Sequence, residues 1–255
     1  MRSILFCILF LSTALGWSQI QECSSIAELK KYAKEDTLVI FDLDNTLIRP
    51  KQMLGSDEWF RYYLEKKTSE YNDRKRALND AINTWQAIQT ISPMCCLESC
   101  TNDLVKDLQK IGTPLMVLTT RDHAFFRGTV NQLRSLDFDF TKTAPVKGFY
   151  RIDEMPDVAY EDGILYSDGY HKGRSLLHFF KQSSFWPKKV IFIDDKLSWV
   201  TQLDVLESEG IEYLGLRYAG ADKYVSNFDP GVAEHQFQRL MNALHDGKIN
   251  EPVVQ

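Results

Sequence analysis

Three runs along the chain are apolar without interruption: Leu38-Val39-Ile40-Phe41, Leu115-Met116-Val117-Leu118 and Val190-Ile191-Phe192-Ile193. Each has the length and character of a strand buried on both faces. Ile211 to Leu216 reads as a last strand. The segments between the strands carry helical spacing instead. Ile26, Leu29 and Tyr32 predict a short helix over Ser24 to Lys34, capped by Ser24 or Ser25. Trp59, Tyr62, Tyr63, Tyr71, Ala77, Ala81, Trp85 and Ile88 predict a helical region from Ser56 to about Gln89, with its aromatics used for packing. Further helices are predicted over Asn102 to Ile111, over about Ala124 to Ser135, from Lys172 through Phe180, and from Leu197 through Leu206. Strands that alternate with helices form a mainly parallel sheet with right-handed crossovers, so the fold class is α/β.

Two stretches interrupt this alternation. The first insertion covers about residues 50–100: a turn-rich flap from Arg49-Pro50 to Gly55-Ser56, the helical region, and a break at Ser92-Pro93. The second covers about residues 144–167, alternates apolar and polar positions around Gly148 and Gly163, and reads as a small β-hairpin. Both are expected to cover the carboxyl end of the sheet, one from each side. At the N-terminus Arg2 precedes an apolar stretch from Ile4 to about Trp17, followed by small or polar residues. That stretch falls short of the roughly 20 apolar residues a spanning helix needs. Residues 1–18 therefore read as a secretory signal peptide cleaved after Gly16 or Ser18, with an uncleaved anchor or a buried first strand as rivals. The remainder, 19–255, is the core with its two insertions, and the protein is expected to be exported, to the periplasm or beyond the cell.

Composition narrows the partners. The 255 residues suffice for one α/β domain with an insertion, and a formal net charge of −5 argues against binding nucleic acid or anionic lipid through a general field. No basic run, internal repeat or low-complexity tract stands out, and no stable membrane insertion is expected once the leader is removed. Outside the leader, which holds Cys7, lie Cys23, Cys95, Cys96 and Cys100. Four cysteines in an exported chain permit two disulfides in three connectivities, and a bridge is the leading expectation. Cys96 with Cys100, or Cys23 with Cys95 or Cys100, are the candidate pairs. Buried free thiols come next, and zinc last, because Cys-x-x-Cys pairs and a nearby His are missing.

The chemistry sits where strands end. Asp42 and Asp44 follow the first run, in TLVIFDLDNTL, and on a straight strand their spacing puts both carboxylates on one face. Such a pair is costly without a cation or a shared proton. Thr119-Thr120-Arg121 close the second run, Lys172 heads a helix, and Asp194-Asp195 close the third run in VIFIDDK. Carboxylate pair, hydroxyl, amine and second carboxylate pair, in that order, resemble the four motifs of the haloacid dehalogenase superfamily of phosphohydrolases. The motif resemblance covers about Leu38 to Leu216 and implies a Rossmann-like three-layer sandwich, with a helical cap inserted after the first motif.

By that resemblance Asp42 is the nucleophile that forms an aspartyl-phosphate and Asp44 the general acid. Thr119 would donate to a phosphoryl oxygen, and Lys172 would neutralise phosphate and Asp42. Mg²⁺ would be held by Asp42, the main-chain carbonyl of Asp44, and Asp194, with Asp195 behind these ligands or bound through water. Thr120 and Arg121 are candidate substrate contacts. The run LTTRDH is similar to secreted acid phosphatases of the superfamily, but Thr120 replaces their Asn and Asn45 their acidic residue. The chain more closely resembles a little-characterised set of exported bacterial haloacid dehalogenase-like proteins with an FDLDNTL start. His123, His171 and Arg49, beside the motifs, are assigned loop, packing or solvated roles. The function expected is an exported, Mg²⁺-dependent phosphomonoesterase acting on a small phosphorylated substrate. Its rival is an inactive scaffold retained to bind a protein partner through the cap. A phosphoacceptor receiver domain fits neither the order of its acidic groups nor the leader.

Overall fold

The computed structural model describes residues 19–246, so the leader expected over 1–18, with Cys7, lies outside the described residues. The chain runs β1 (Gln19–Cys23), β2 (Thr37–Phe41), β3 (Ile48–Pro50), α1 (Asp57–Tyr71), α2 (Arg74–Ile91), β4 (Met94–Cys96) and α3 (Thr101–Lys110). It continues through β5 (Leu115–Thr119), α4 (Phe126–Ser135), β6 (Phe149–Arg151), β7 (Ala159–Glu161), β8 (Ile164–Tyr166) and α5 (Lys172–Ser183). It ends with β9 (Lys189–Asp194), α6 (Leu197–Val200), β10 (Glu212–Tyr218), α7 (Asp222–Ser226) and α8 (Pro230–His245).

The three uninterrupted runs become the central strands β2, β5 and β9, and their period of two explains why they are apolar throughout. Val39, Phe41, Leu115, Val117, Ile191 and Ile193 face one layer, with Leu104 and Leu108 of α3 and Leu133 of α4. Leu38, Ile40, Met116, Leu118, Val190 and Phe192 face the other, with Leu176, Phe179 and Phe180 of α5 and with Val200, Leu203 and Leu206. The result is a three-layer α/β sandwich, as the resemblance implied.

The main sheet has eight strands in the order β1-β10-β9-β2-β5-β8-β7-β6. Pairing is parallel from β1 through β8 and antiparallel from β8 to β6. Phe41 stands level with both Ile193 and Val117, so Asp42, Asp194 and the end of β5 emerge together at one rim. That register places the site.

The second insertion supplies the expected hairpin, with Asp162 and Gly163 at positive φ in the β7–β8 turn. It continues the main sheet in its own plane, because β8 pairs parallel with β5. It is therefore an edge extension rather than a flap, and only the residues just past it reach the site. The first insertion is a helical hairpin broken at Asn72, which takes φ 48, and at Asp73, whose side chain caps α2. Its base is closed by the small antiparallel sheet of β3 and β4, which pairs Ile48 with Cys96.

Two elements carried no usable pattern in the sequence. β1 adds to β10 as a partly exposed edge strand with only Cys23 fully buried. Helix α8, begun by Asp229 as cap and Pro230, packs Ala233, Phe237 and Leu240 against Trp59 and Tyr63 of α1. Among the described residues no helix is long and apolar enough to cross a membrane.

The leading expectation of a disulfide is not met: Cys23, Cys95, Cys96 and Cys100 are all free thiols. Cys23 donates to the Ser25 carbonyl at 3.1 Å, Cys95 to that of Arg49 at 3.7 Å, and Cys100 to Glu98 at 3.7 Å. Burial pushes the Cys23 thiol up to about 11, which makes it a packing residue rather than a reactive one.

Candidate active site

Asp42 leaves β2 with its N–H bonded to the Ile193 carbonyl of β9 at 2.9 Å. Its Oδ2 accepts from the Thr46 hydroxyl at 3.1 Å, and the same hydroxyl accepts the Asp195 N–H at 3.2 Å. The first and fourth motifs are thereby tied through one oxygen atom. Lys172 comes in from the start of α5, fully buried, with Nζ 2.6 Å from Asp42 Oδ1 and 2.6 Å from Asp194 Oδ2. Its depth is set by Gly173, where an added Cβ would stand 2.0 Å from the Gln202 carbonyl oxygen. Asp194 Oδ1 accepts the Lys196 N–H at 2.8 Å.

Carboxylate oxygens of Asp42, Asp194 and Asp195 lie within 4.8 Å of one another. Asp195 Oδ1 is buried and has no hydrogen-bond partner in the protein. Burial raises the Asp42 carboxyl, and the charge of Asp194 raises it further, against the pull of Lys172. Burial raises Asp195 as well, with Lys196 opposing and Asp42 and Asp194 adding to the rise. Lys172 ionises above the ordinary range, because its two carboxylates outweigh the effect of burial. Three crowded carboxyls and one orphaned oxygen suit a hard divalent cation such as Mg²⁺, which prefers carboxylate and carbonyl oxygens.

Asp44 points away from this triad. Arg121 grips it with Nε at 2.8 Å and Nη2 at 2.7 Å, while Nη1 donates to Thr129 at 3.0 Å and to Gln132 at 2.8 Å. A two-point pair of this kind fixes orientation as well as charge. Arg121, expected from the sequence to contact substrate, therefore spends its donors on Asp44 and α4. The side chain of Asp44 takes no part in the cation cluster, so a ligand from this residue has to be its main-chain carbonyl. Thr119 is buried, and its hydroxyl accepts the Arg121 N–H at 3.2 Å. Thr120, together with Asp42, Asp44 and Arg121, borders a cavity of about 640 Å³ between the rim and the cap.

The two histidines take loop or packing roles as expected, whereas Arg49, expected to be solvated, is half-buried in packing. His123 bonds Glu161 at 2.6 Å among Phe126, Phe149 and Tyr166. His171 caps α5, and Arg49 lies over the Tyr224 ring.

The sequence reading missed Asp57, Arg61, Lys196 and Trp199, which all line the cavity. Lys196 was visible as the last letter of VIFIDDK. Asp57 was hidden, because an acid in the first turn of a helix is ordinary. In the fold it joins cap to core: Arg61 stands 2.8 Å and Lys196 3.0 Å from its Oδ2.

A family model described as a protein of unknown function, DUF2608, matches residues 19–250. The chain belongs to this family. Among its relatives, a Chlamydia pneumoniae protein named "Putative outer membrane protein" is 25% identical over 222 residues, covering 87% of this chain and 84% of its own. An uncharacterised Rickettsia prowazekii protein is 27% identical over 247 residues, covering 89% and 87%. Among solved structures, a haloacid dehalogenase-like family hydrolase of Streptococcus pneumoniae aligns at TM-score 0.47 and 15% identity, over 76% of this chain and 99% of its own. For this DUF2608 member the strand-end geometry, and not that similarity, carries the functional reading.

Proposed function

We propose that this protein is an exported, Mg²⁺-dependent phosphomonoesterase that works through an aspartyl-phosphate on Asp42. The observation that carries the reading is the convergence of Asp42, Asp194 and Asp195 around an unsatisfied Asp195 oxygen, with Lys172 bridging the first two. Asp42, Asp194 and Asp195 would hold the ion, which when bound supplies positive charge against the phosphoryl oxygens. Lys172 and Thr46 fix the two oxygens of Asp42.

Attack by the Asp42 carboxylate on phosphorus forms the acyl phosphate as the ester oxygen leaves. Asp44, once one of its oxygens leaves Arg121 and takes up a proton, would give that proton to the leaving oxygen. Water then attacks the acyl phosphate, Asp44 takes the proton back, and phosphate departs with Asp42 restored. Thr120, on the cavity wall, would donate to the phosphoryl group. The leader-like residues 1–18 and the names of the chlamydial relatives support export to the periplasm or beyond.

The test is hydrolysis of p-nitrophenyl phosphate by the purified protein with Mg²⁺. Activity should vanish with EDTA and fall by about 10³-fold or more in Asp42→Asn, the scale expected for removal of a nucleophile. Full activity in that variant removes the mechanism. One observation favours a second reading, a scaffold kept for binding: both carboxylate oxygens of Asp44 are occupied by Arg121. No turnover over a broad ester panel, with retained Mg²⁺ binding, would select it.

A further inference from the structure

The cavity has two halves of different chemistry. Its floor is the carboxylate rim. Its outer wall is apolar, with Phe60, Leu78, Ile82 and Trp85 from the cap and Trp199 from the core. The Trp199 ring is held beside the site by Lys172, whose Nζ lies 5.6 Å from the ring centroid.

A pocket that receives a second phosphate or a carboxylate needs a cation free to meet it. Three cations border this one, Arg61, Arg121 and Lys196. Each already has a carboxylate partner. Arg121 is gripped by Asp44, while Arg61 and Lys196 share Asp57. Asp122 and Asp168 add further negative charge to the wall. Asp122 accepts from Gln86 at 2.7 Å and, among the described residues, has no cation within ion-pair distance.

Resting on the phosphatase reading above, we infer that the substrate is a monophosphate ester of an uncharged, apolar alcohol, and that Asp57 sets this choice by occupying Arg61 and Lys196. A ligand with a second anionic group would have to compete with Asp57 for both cations. An apolar ring or chain meets no such cost and covers Phe60, Leu78, Ile82 and Trp199. Asp57 is thus a specificity-determining residue that acts through its two partners.

The test is calorimetric binding of three non-hydrolysable probes to the full chain with Mg²⁺: methylphosphonate, benzylphosphonate and propane-1,3-bisphosphonate. Benzylphosphonate should bind at least about tenfold more tightly than methylphosphonate, the gain expected from burying much of a ring. The bisphosphonate should gain nothing over methylphosphonate. In Asp57→Asn the bisphosphonate should gain about tenfold, since two cations are released. Leu78→Lys, at a residue 39% exposed and clear of the core, repeats the test without touching the ion pairs and should shift preference in the same direction.

A wild-type protein that prefers the bisphosphonate, or that holds benzyl and methyl probes equally, overturns the inference. Failure of the phosphatase reading looks different. Selective benzylphosphonate binding without hydrolysis of any ester sinks the catalysis and keeps the pocket. Hydrolysis with equal affinity for all three probes does the reverse. No binding of any probe rejects both.

Discussion

Lys172 stands 2.6 Å from two carboxylates in a place without solvent, so its loss and its replacement by an uncharged chain differ little in consequence. Lys172→Met leaves Asp42 and Asp194 facing each other unneutralised, and breaking a buried pair in this way costs about 3–5 kcal/mol. Urea denaturation of the variant should show that loss, along with lost turnover. A quieter residue anchors the start of the chain. Glu98 accepts from the Ile26 N–H at 2.6 Å, from Ser25 at 2.7 Å and from Tyr218 at 2.6 Å. Burial would raise its carboxyl, but these donors win and hold it below the ordinary glutamate range. A carboxyl lowered by folding stabilises fully above its unfolded value, and the contribution disappears as pH falls through its folded value. Glu98→Gln should therefore lower stability by about 1 kcal/mol at neutral pH. The gap to wild type should narrow on acidification, as thermal melts across pH would show.

Helix α5 can seat Lys172 so deeply because residue 173 has no side chain. Gly173→Ala would drive a methyl group into the Gln202 carbonyl oxygen, 2.0 Å away. Overpacking at such a contact costs about 1–3 kcal/mol. The expected outcome is a lower melting temperature together with a fall in turnover, because the helix that carries the ammonium must retreat. The cap is held differently. Trp59 stacks on Tyr63 at 4.8 Å, and Phe237 of α8 lies 5.8 Å from each ring. Trp59→Ala should cost about 3–5 kcal/mol. Limited proteolysis should then cut first within α1 and α2 rather than in the sheet.

These elements also show what a sequence discloses. β2, β5 and β9 were legible because strands buried on both faces are apolar along their middle, and the carboxylates that follow β2 and end β9 are chemically conspicuous. The break at Asn72 was not, since one left-handed residue inside a helical pattern looks like any polar position. α8 declares itself only through Phe237 and Leu240, whose partners lie in the cap. Arg121 was legible as a functional residue but assigned to substrate. The fold also pairs it with Asp44, which comes from a different strand end, and that pairing exists only once the sheet has assembled.

At the scale of the whole molecule the rim crowds three carboxylates that a divalent ion would neutralise. Mg²⁺ at about a hundredfold over its dissociation constant should stabilise the fold by about 2.7 kcal/mol. A thermal shift that EDTA reverses, and that Asp195→Asn reduces, checks this independently of turnover. Cap, sheet and C-terminal helix should respond together, since α8 rests on α1 and Lys196 joins Asp57 to the fourth motif.

The outermost strand has a partner made very late. Gln19 aligns with Leu214 and Cys23 with Tyr218, so β1 pairs with nothing until the ribosome has finished β10. Until then Gln19–Cys23 lacks the strand it pairs with in the fold, and that edge of the sheet can be completed only after Tyr218 has been added.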